Sequence, residues 1–216
     1  MAVDTRVQVG TAARARVVAG VLAVAAVAAA VNLLARPLAA ADFDSYAAVR
    51  SSRDAVWLFA LVGGVSSGVA FVCLGLAVCA LVASRGAAWA TLGTVLLGVG
   101  GVCFAAGFFA VGASGWYLTA DGAETLFTYG QDHAVRAFGV QATGFVAVFL
   151  GLVMSAVGLW RARSVPRWLA VALPGVFVGM VLSGSGVVYD VVHAGFMSTL
   201  VMLSWYVWRL AGAGEA

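Results

Sequence analysis

The sequence predicts an all-α polytopic membrane bundle, and three observations carry that expectation. First, Ala55 to Gly112 covers 58 residues with a single charge, Arg85, near its middle. Charge-free apolar runs of about 18 residues or more are long enough to cross a hydrocarbon core as helices. This stretch therefore reads as a transmembrane hairpin that turns at Arg85. Second, the 216-residue chain is 63% hydrophobic and only 10% charged, whereas a soluble domain is about half apolar and about a quarter charged. There is too little charge to wet a globular surface. Third, arginine and tryptophan gather at the ends of the apolar runs, as the positive-inside bias and the aromatic belts of membrane proteins require.

Taken in order, the chain reads as one membrane domain over 1–216 with six spans. They fall at about 17–35, 55–83, 87–112, 138–160, 165–183 and 187–208, with outer loops at 36–54 and 113–137. The polar start carries Arg6, Arg14 and Arg16 ahead of the first run, which Arg36-Pro37 ends. Ala39-Ala40-Ala41 resembles a signal cleavage site. The 18-residue run Val17 to Leu34 is, however, longer than the usual signal core of about 7 to 15 residues, and it reads as an uncleaved span. Spans two and three are glycine-rich, with a GxxxG pair at Gly64 and Gly68, and small residues let helix backbones approach in lipid. In span four, Gly144, Gly151 and Gly158 recur every seven residues and so share one helix face, expected to pack on another helix. Span five carries Pro174, where a kink is expected, and a second GxxxG at Gly175 and Gly179. Ser183-Gly184-Ser185-Gly186 reads as the turn into span six.

Orientation follows from the basic residues. With the N-terminus inside and six crossings, eight arginines fall on the cytoplasmic side and four outside. That places both termini in the cytoplasm and the chain in the plasma membrane. Trp89, Trp160, Trp168, Trp205 and Trp208 then mark the inner interface, and Trp57 and Trp116 the outer one.

Composition also excludes chemistry. All 12 basic residues are arginine. Without lysine there is no Schiff-base or phosphate-loop chemistry. The arginines lie at run ends and form no basic patch, so nucleic acid is not an expected partner. Cys73, Cys79 and Cys103 sit in apolar runs without metal or redox spacing and read as small core residues. No cofactor, metal site or catalytic residue is expected.

The sharpest candidate site is Asp190 with His193, three residues apart on one helix face near the outer end of span six. The long outer loop could bring Glu124, Asp132 and His133 beside them, a set able to hold a divalent ion or relay protons. The simpler reading is that Asp190 and His193 satisfy each other, or pair with Arg136, at a wet interface. The polar residues Asn32, Ser66, Ser67, Thr91, Thr94, Gln141, Thr143 and Ser155 could line a passage, although such residues more often bond backbone or a neighbouring helix.

Gly112-Ala113-Ser114-Gly115 resembles the serine motif of rhomboid intramembrane proteases, and His193-Ala194-Gly195 their histidine helix. That family starts a helix with its serine and places the histidine two spans later. Here Ser114 ends a span and the histidine comes three spans on, so no proteolytic activity is carried over. In overall pattern the chain resembles uncharacterised six-helix membrane proteins of high-GC actinobacteria. The likeness rests on the polar stretch Ala41 to Asp54, the loop Trp116 to His133 and Val165-Pro166-Arg167-Trp168. That resemblance implies a fold and no activity. The expected function is a non-enzymatic accessory or partner-binding bundle, with the lipid bilayer around it and a protein partner or second copy on its glycine-rich faces. The alternative is a small transporter or channel using the acidic rim with Asp190 and His193. A membrane enzyme comes third.

Overall fold

In the computed structural model, residues 5–37, 43–82, 85–120, 123–184 and 186–213 are described. All regular structure among them is helical. The helices are α1 (Thr5–Leu34), α2 (Phe43–Ala48), α3 (Arg53–Leu81), α4 (Ala87–Leu118), α5 (Glu124–Asp132), α6 (Ala134–Ala162), α7 (Arg167–Ser183) and α8 (Val187–Ala213). A 3-10 turn, Arg50–Ser52, links α2 to α3. Five of the helices are long and apolar enough to cross a membrane: α1, α3, α4, α6 and α8. The chain is a membrane-type helical bundle.

The expected fifth span is shorter than the rest. α7 has 17 residues, about 26 Å of helix against a hydrocarbon core of about 30 Å. Pro166 stands at its N-cap, and Gly184 and Gly186 at its far end take φ of +68° and +88°, conformations that suit glycine. The helix runs unbroken through Pro174.

Each long helix packs on the next in a closed ring, in the order α1, α3, α4, α6, α7, α8 and back to α1. α3 leans inward and also touches α6 and α8. One end of the ring carries Arg14, Arg16, Arg85, Arg161, Arg163, Arg167 and Arg209, and is called the arginine end below. The other, the acidic end, carries α2 and α5.

The tightest contacts run along α4. Gly86, Gly93, Gly100 and Gly107 recur every seven residues on it, opposite the row Gly158, Gly151 and Gly144 of α6. A Cβ at Gly100 would stand 2.7 Å from the Val148 amide nitrogen, and one at Gly144 would stand 2.8 Å from that of Phe104. The backbones therefore touch, and no side chain fits between them. Gly86 combines this contact with a φ of +94°. The neighbouring face of α4 meets α3 the same way: a Cβ at Gly68 would lie 3.1 Å from the Gly101 carbonyl oxygen. The glycine faces noted in spans two to four are thus engaged within the chain. Gly175 of the second GxxxG has open space around it.

Phenylalanines fill the bundle axis. Phe71 of α3, Phe104 of α4, Phe145 of α6, Phe177 of α7 and Phe196 of α8 form a closed circuit of ring contacts at 4.9–6.2 Å between centroids. Phe71 and Phe177 also meet across the circuit at 6.4 Å. Phe71, Phe104, Phe177 and Phe196 are buried.

Asn32, Ser66, Thr94 and Thr143 bond backbone oxygens as expected, whereas Ser155 Oγ is buried without a partner among the described residues. Asn32 Nδ2 donates to the Phe59 carbonyl at 3.0 Å, tying α1 to α3. Thr94 Oγ1 donates to Gly75 O at 2.8 Å, tying α4 to α3. Ser204 Oγ donates to Ala19 O at 2.5 Å, closing α8 on α1. Ser66 and Thr143 bond their own helices at Val62 O and Gly139 O. Cys73, Cys79 and Cys103 are free thiols, and Cys73 belongs to the buried core.

Two adjacent glycines of α4 separate packing from propensity. A Cβ at Gly98 meets nothing within 4 Å, so Gly98→Ala should stabilise by about 0.5–1 kcal/mol through helix propensity. Gly100→Ala should destabilise by about 1–3 kcal/mol through overpacking. Apparent unfolding midpoints in detergent should move in opposite directions, up for the first and down for the second.

Candidate functional site

The acidic end differs from the expected polar loop. α4 does not stop at Gly112 but continues to Leu118, so Ser114, Trp116 and Tyr117 lie on a helix. The extension has a partner: Gly112 packs against Ala60, and Gly115 lies against Val56 and Tyr46. At the same level Trp116 Nε1 donates to Asp54 Oδ1 at 3.0 Å, and the Arg53 guanidinium sits 4.5 Å over the indole. The loop expected over 113–137 holds the helix α5, and α6 begins at Ala134. The loop expected over 36–54 holds α2 and the 3-10 turn. Asp42, Asp121 and Ala39 to Ala41 lie outside the described residues.

Asp190 lies in the first turn of α8, where the helix dipole favours a carboxylate. Its partner is neither His193 nor Arg136. Arg36, just past the C-terminus of α1, donates from a terminal guanidinium nitrogen to Asp190 Oδ2 at 3.5 Å. Both side chains are about a quarter exposed, at 26% and 28%, and the pair sits at the rim where α1 closes on α8. Asp190 Oδ1 and both ring nitrogens of His193 are buried without a hydrogen-bond partner. The His193 ring rests 5.7 Å from that of Tyr189. The two residues share a helix face, as their spacing predicts, but do not satisfy each other.

The other members of the expected cluster lie elsewhere. Glu124 opens α5, where its carbonyl accepts from Thr128 Oγ1 at 3.1 Å. Asp132 closes α5 and is exposed. His133 stacks on Tyr129 at 4.1 Å, and its Nδ1 lies 2.9 Å from the Tyr129 carbonyl oxygen. α5 packs on α4 and α6, whereas α8 packs on α1, α7 and α3. Among the described residues no group of three or more His, Cys, Asp or Glu is placed to hold a metal ion. Ser114 and His193 are separated in the same way. Ser114 lines a cavity beneath α5, and His193 belongs to α8.

That cavity is the feature that sequence reasoning missed. It measures about 350 Å³ and lies between α2, α4, α5 and α6. Tyr46, Tyr117, Phe127, Tyr129 and Phe138 line it with Ser114 and Gln131. Phe127 also meets Phe43 and Tyr46 at 6.0 and 6.4 Å, which joins α5 to α2. Burial pushes the Tyr46 phenol above its ordinary pKa. The only sequence signal was the density of aromatic residues in two polar segments.

Comparison of the chain with protein-family models, curated proteins and solved structures finds no match.

The rim pair invites a double-mutant test. Arg36→Gln and Asp190→Asn should each cost less than about 1 kcal/mol, with a coupling of about 0.2–1 kcal/mol in the cycle. His193→Phe should hold or raise the apparent unfolding midpoint, because it removes two unpaired buried nitrogens. A clear fall in the midpoint would show that the imidazole makes a stabilising contact.

Proposed function

We propose that the protein is a six-crossing bundle of the plasma membrane with both termini in the cytoplasm, acting as a non-enzymatic accessory or partner-binding subunit. In this reading α7 crosses as well. A helix a few Å short of the hydrocarbon core is accommodated by local thinning of the bilayer at modest cost. The arginine end faces the cytoplasm. The observation that carries the accessory role is the phenylalanine-filled axis. Rings from five helices stand where a path through the bundle would run. A partner protein or a second copy would dock on a lipid-facing ridge. One such ridge is Trp168, Val171, Gly175, Val178 and Leu182 on the exposed side of α7.

The second reading is a small proton- or ion-coupled transporter. It is favoured by the buried, unpartnered atoms of Asp190 and His193 within the apolar helix α8.

Two measurements test the proposal. In a background lacking the three native cysteines, Tyr129→Cys and Val187→Cys should react with an impermeant maleimide in intact cells. Arg163→Cys should react only after permeabilisation. Matching accessibility of positions 163 and 187 would mean that α7 does not cross. In liposomes the purified protein should give no pH- or ion-driven flux above empty vesicles. Flux that disappears in Asp190→Asn would overturn the accessory role in favour of the transporter.

A further inference from the structure

We propose that the aromatic cavity at the acidic end binds a small methylated ammonium cation of the choline type. The inference is independent of the accessory reading. The volume, about 350 Å³, lies within the range of small-molecule sites. Its walls come from four helices: Tyr46 of α2, Tyr117 of α4, Phe127 and Tyr129 of α5, and Phe138 of α6. Aromatic faces carry negative quadrupole density and attract cations, and clusters of them recognise quaternary ammonium groups. The lining residues with polar side chains are Ser114, Gln131 and the tyrosines, which carry hydroxyls and an amide. All of these can accept a hydrogen bond from a ligand hydroxyl. Among the described residues no basic side chain lines the cavity.

At this end the lining helices carry Asp44, Glu124 and Asp132 against Arg136, a net negative charge. Glu124 and Asp132 bracket the segment of α5, Leu126 to Gln131, that contributes its lining. The same end already holds one cation on an aromatic face, with Arg53 over Trp116 and Asp54 bonded to the indole. The roof is held in place before any ligand arrives, because Tyr46 is buried and its ring contacts Phe127. Preorganised walls lower the ordering cost of binding. In the proposed orientation the cavity stands at the outer interface, where lipid headgroups lie. The ammonium could therefore belong to a phospholipid headgroup or to a free solute.

The test uses the full chain purified in a choline-free detergent, titrated calorimetrically with choline and with its uncharged isostere 3,3-dimethylbutan-1-ol. Choline should bind at about millimolar Kd or tighter, and at least about tenfold tighter than the isostere. Tyr129→Leu should weaken choline binding about tenfold, and Tyr129→Phe, which keeps the ring stacked on His133, should retain it. Equal affinity for the two ligands, or no choline binding up to the order of 100 mM, would overturn the proposal. Nanodiscs identify the source. Choline binding that persists in phosphatidylglycerol discs and is lost in phosphatidylcholine discs assigns the site to a lipid headgroup. Persistence in both assigns it to a free solute. Either result upholds the ammonium chemistry, and absence of binding in both kinds of disc counts against it.

Discussion

Backbone-to-backbone contact along α4 is the constraint on which the bundle rests. In lipid the hydrophobic effect does not drive helices together, because the tails are as apolar as the side chains. Association then depends on close packing, which glycine permits. α4 presents one glycine row to α6 and a second small-residue face to α3, so three helices share a single thick seam. The antiparallel register between α4 and α6 is narrow, because Gly86, Gly93 and Gly100 meet Gly158, Gly151 and Gly144 in reverse order. A slip by one residue would drive side chains into the facing backbone.

The seam sets the rest of the interior. With α3, α4 and α6 drawn together, Phe71, Phe104 and Phe145 converge, and the rings of α7 and α8 complete the circuit. The bundle is dense at mid-depth and polar at its two rims. Chemistry-bearing side chains are accordingly found at the acidic end, in the Arg36–Asp190 closure and in the aromatic cavity. Those two features lie on different helices, with α1 and α8 forming the first and α2, α4, α5 and α6 the second.

Much of the fold was legible in the sequence because hydropathy and spacing are local signals. The seven-residue recurrence of Gly144, Gly151 and Gly158 identified the packing face of α6. The complementary row on α4 was hidden by Gly98 and Gly101, which break its visible rhythm. Neighbourhood between helices far apart in the chain was not legible. Nothing in one sequence says that α1 adjoins α8, so Asp190 was assigned to His193 or Arg136 and the role of Arg36 went unseen. Its position at the end of the first span and that of Asp190 at the start of the last were the only clue. Short polar segments misled in another way. Residues 113–118 carry no strong helix breaker, and their small residues extend α4 by packing on α3, a tertiary effect that composition does not reveal. The aromatic cavity draws on four separate segments, none of which shows a motif by itself.

The ring closes between α1 and α8, which stand far apart along the chain. Ser204 reaches back to the carbonyl of Ala19, and Asp190 to Arg36, across separations of 185 and 154 residues. During synthesis, then, the buried face of α1 around Ala19, Leu22 and Ala26 stays partly uncovered until α8 has been made. Until then the growing chain is an open arc with an uncovered, alanine-rich edge. The ring is sealed by α8, and a chain that stops before Val187 leaves an open arc.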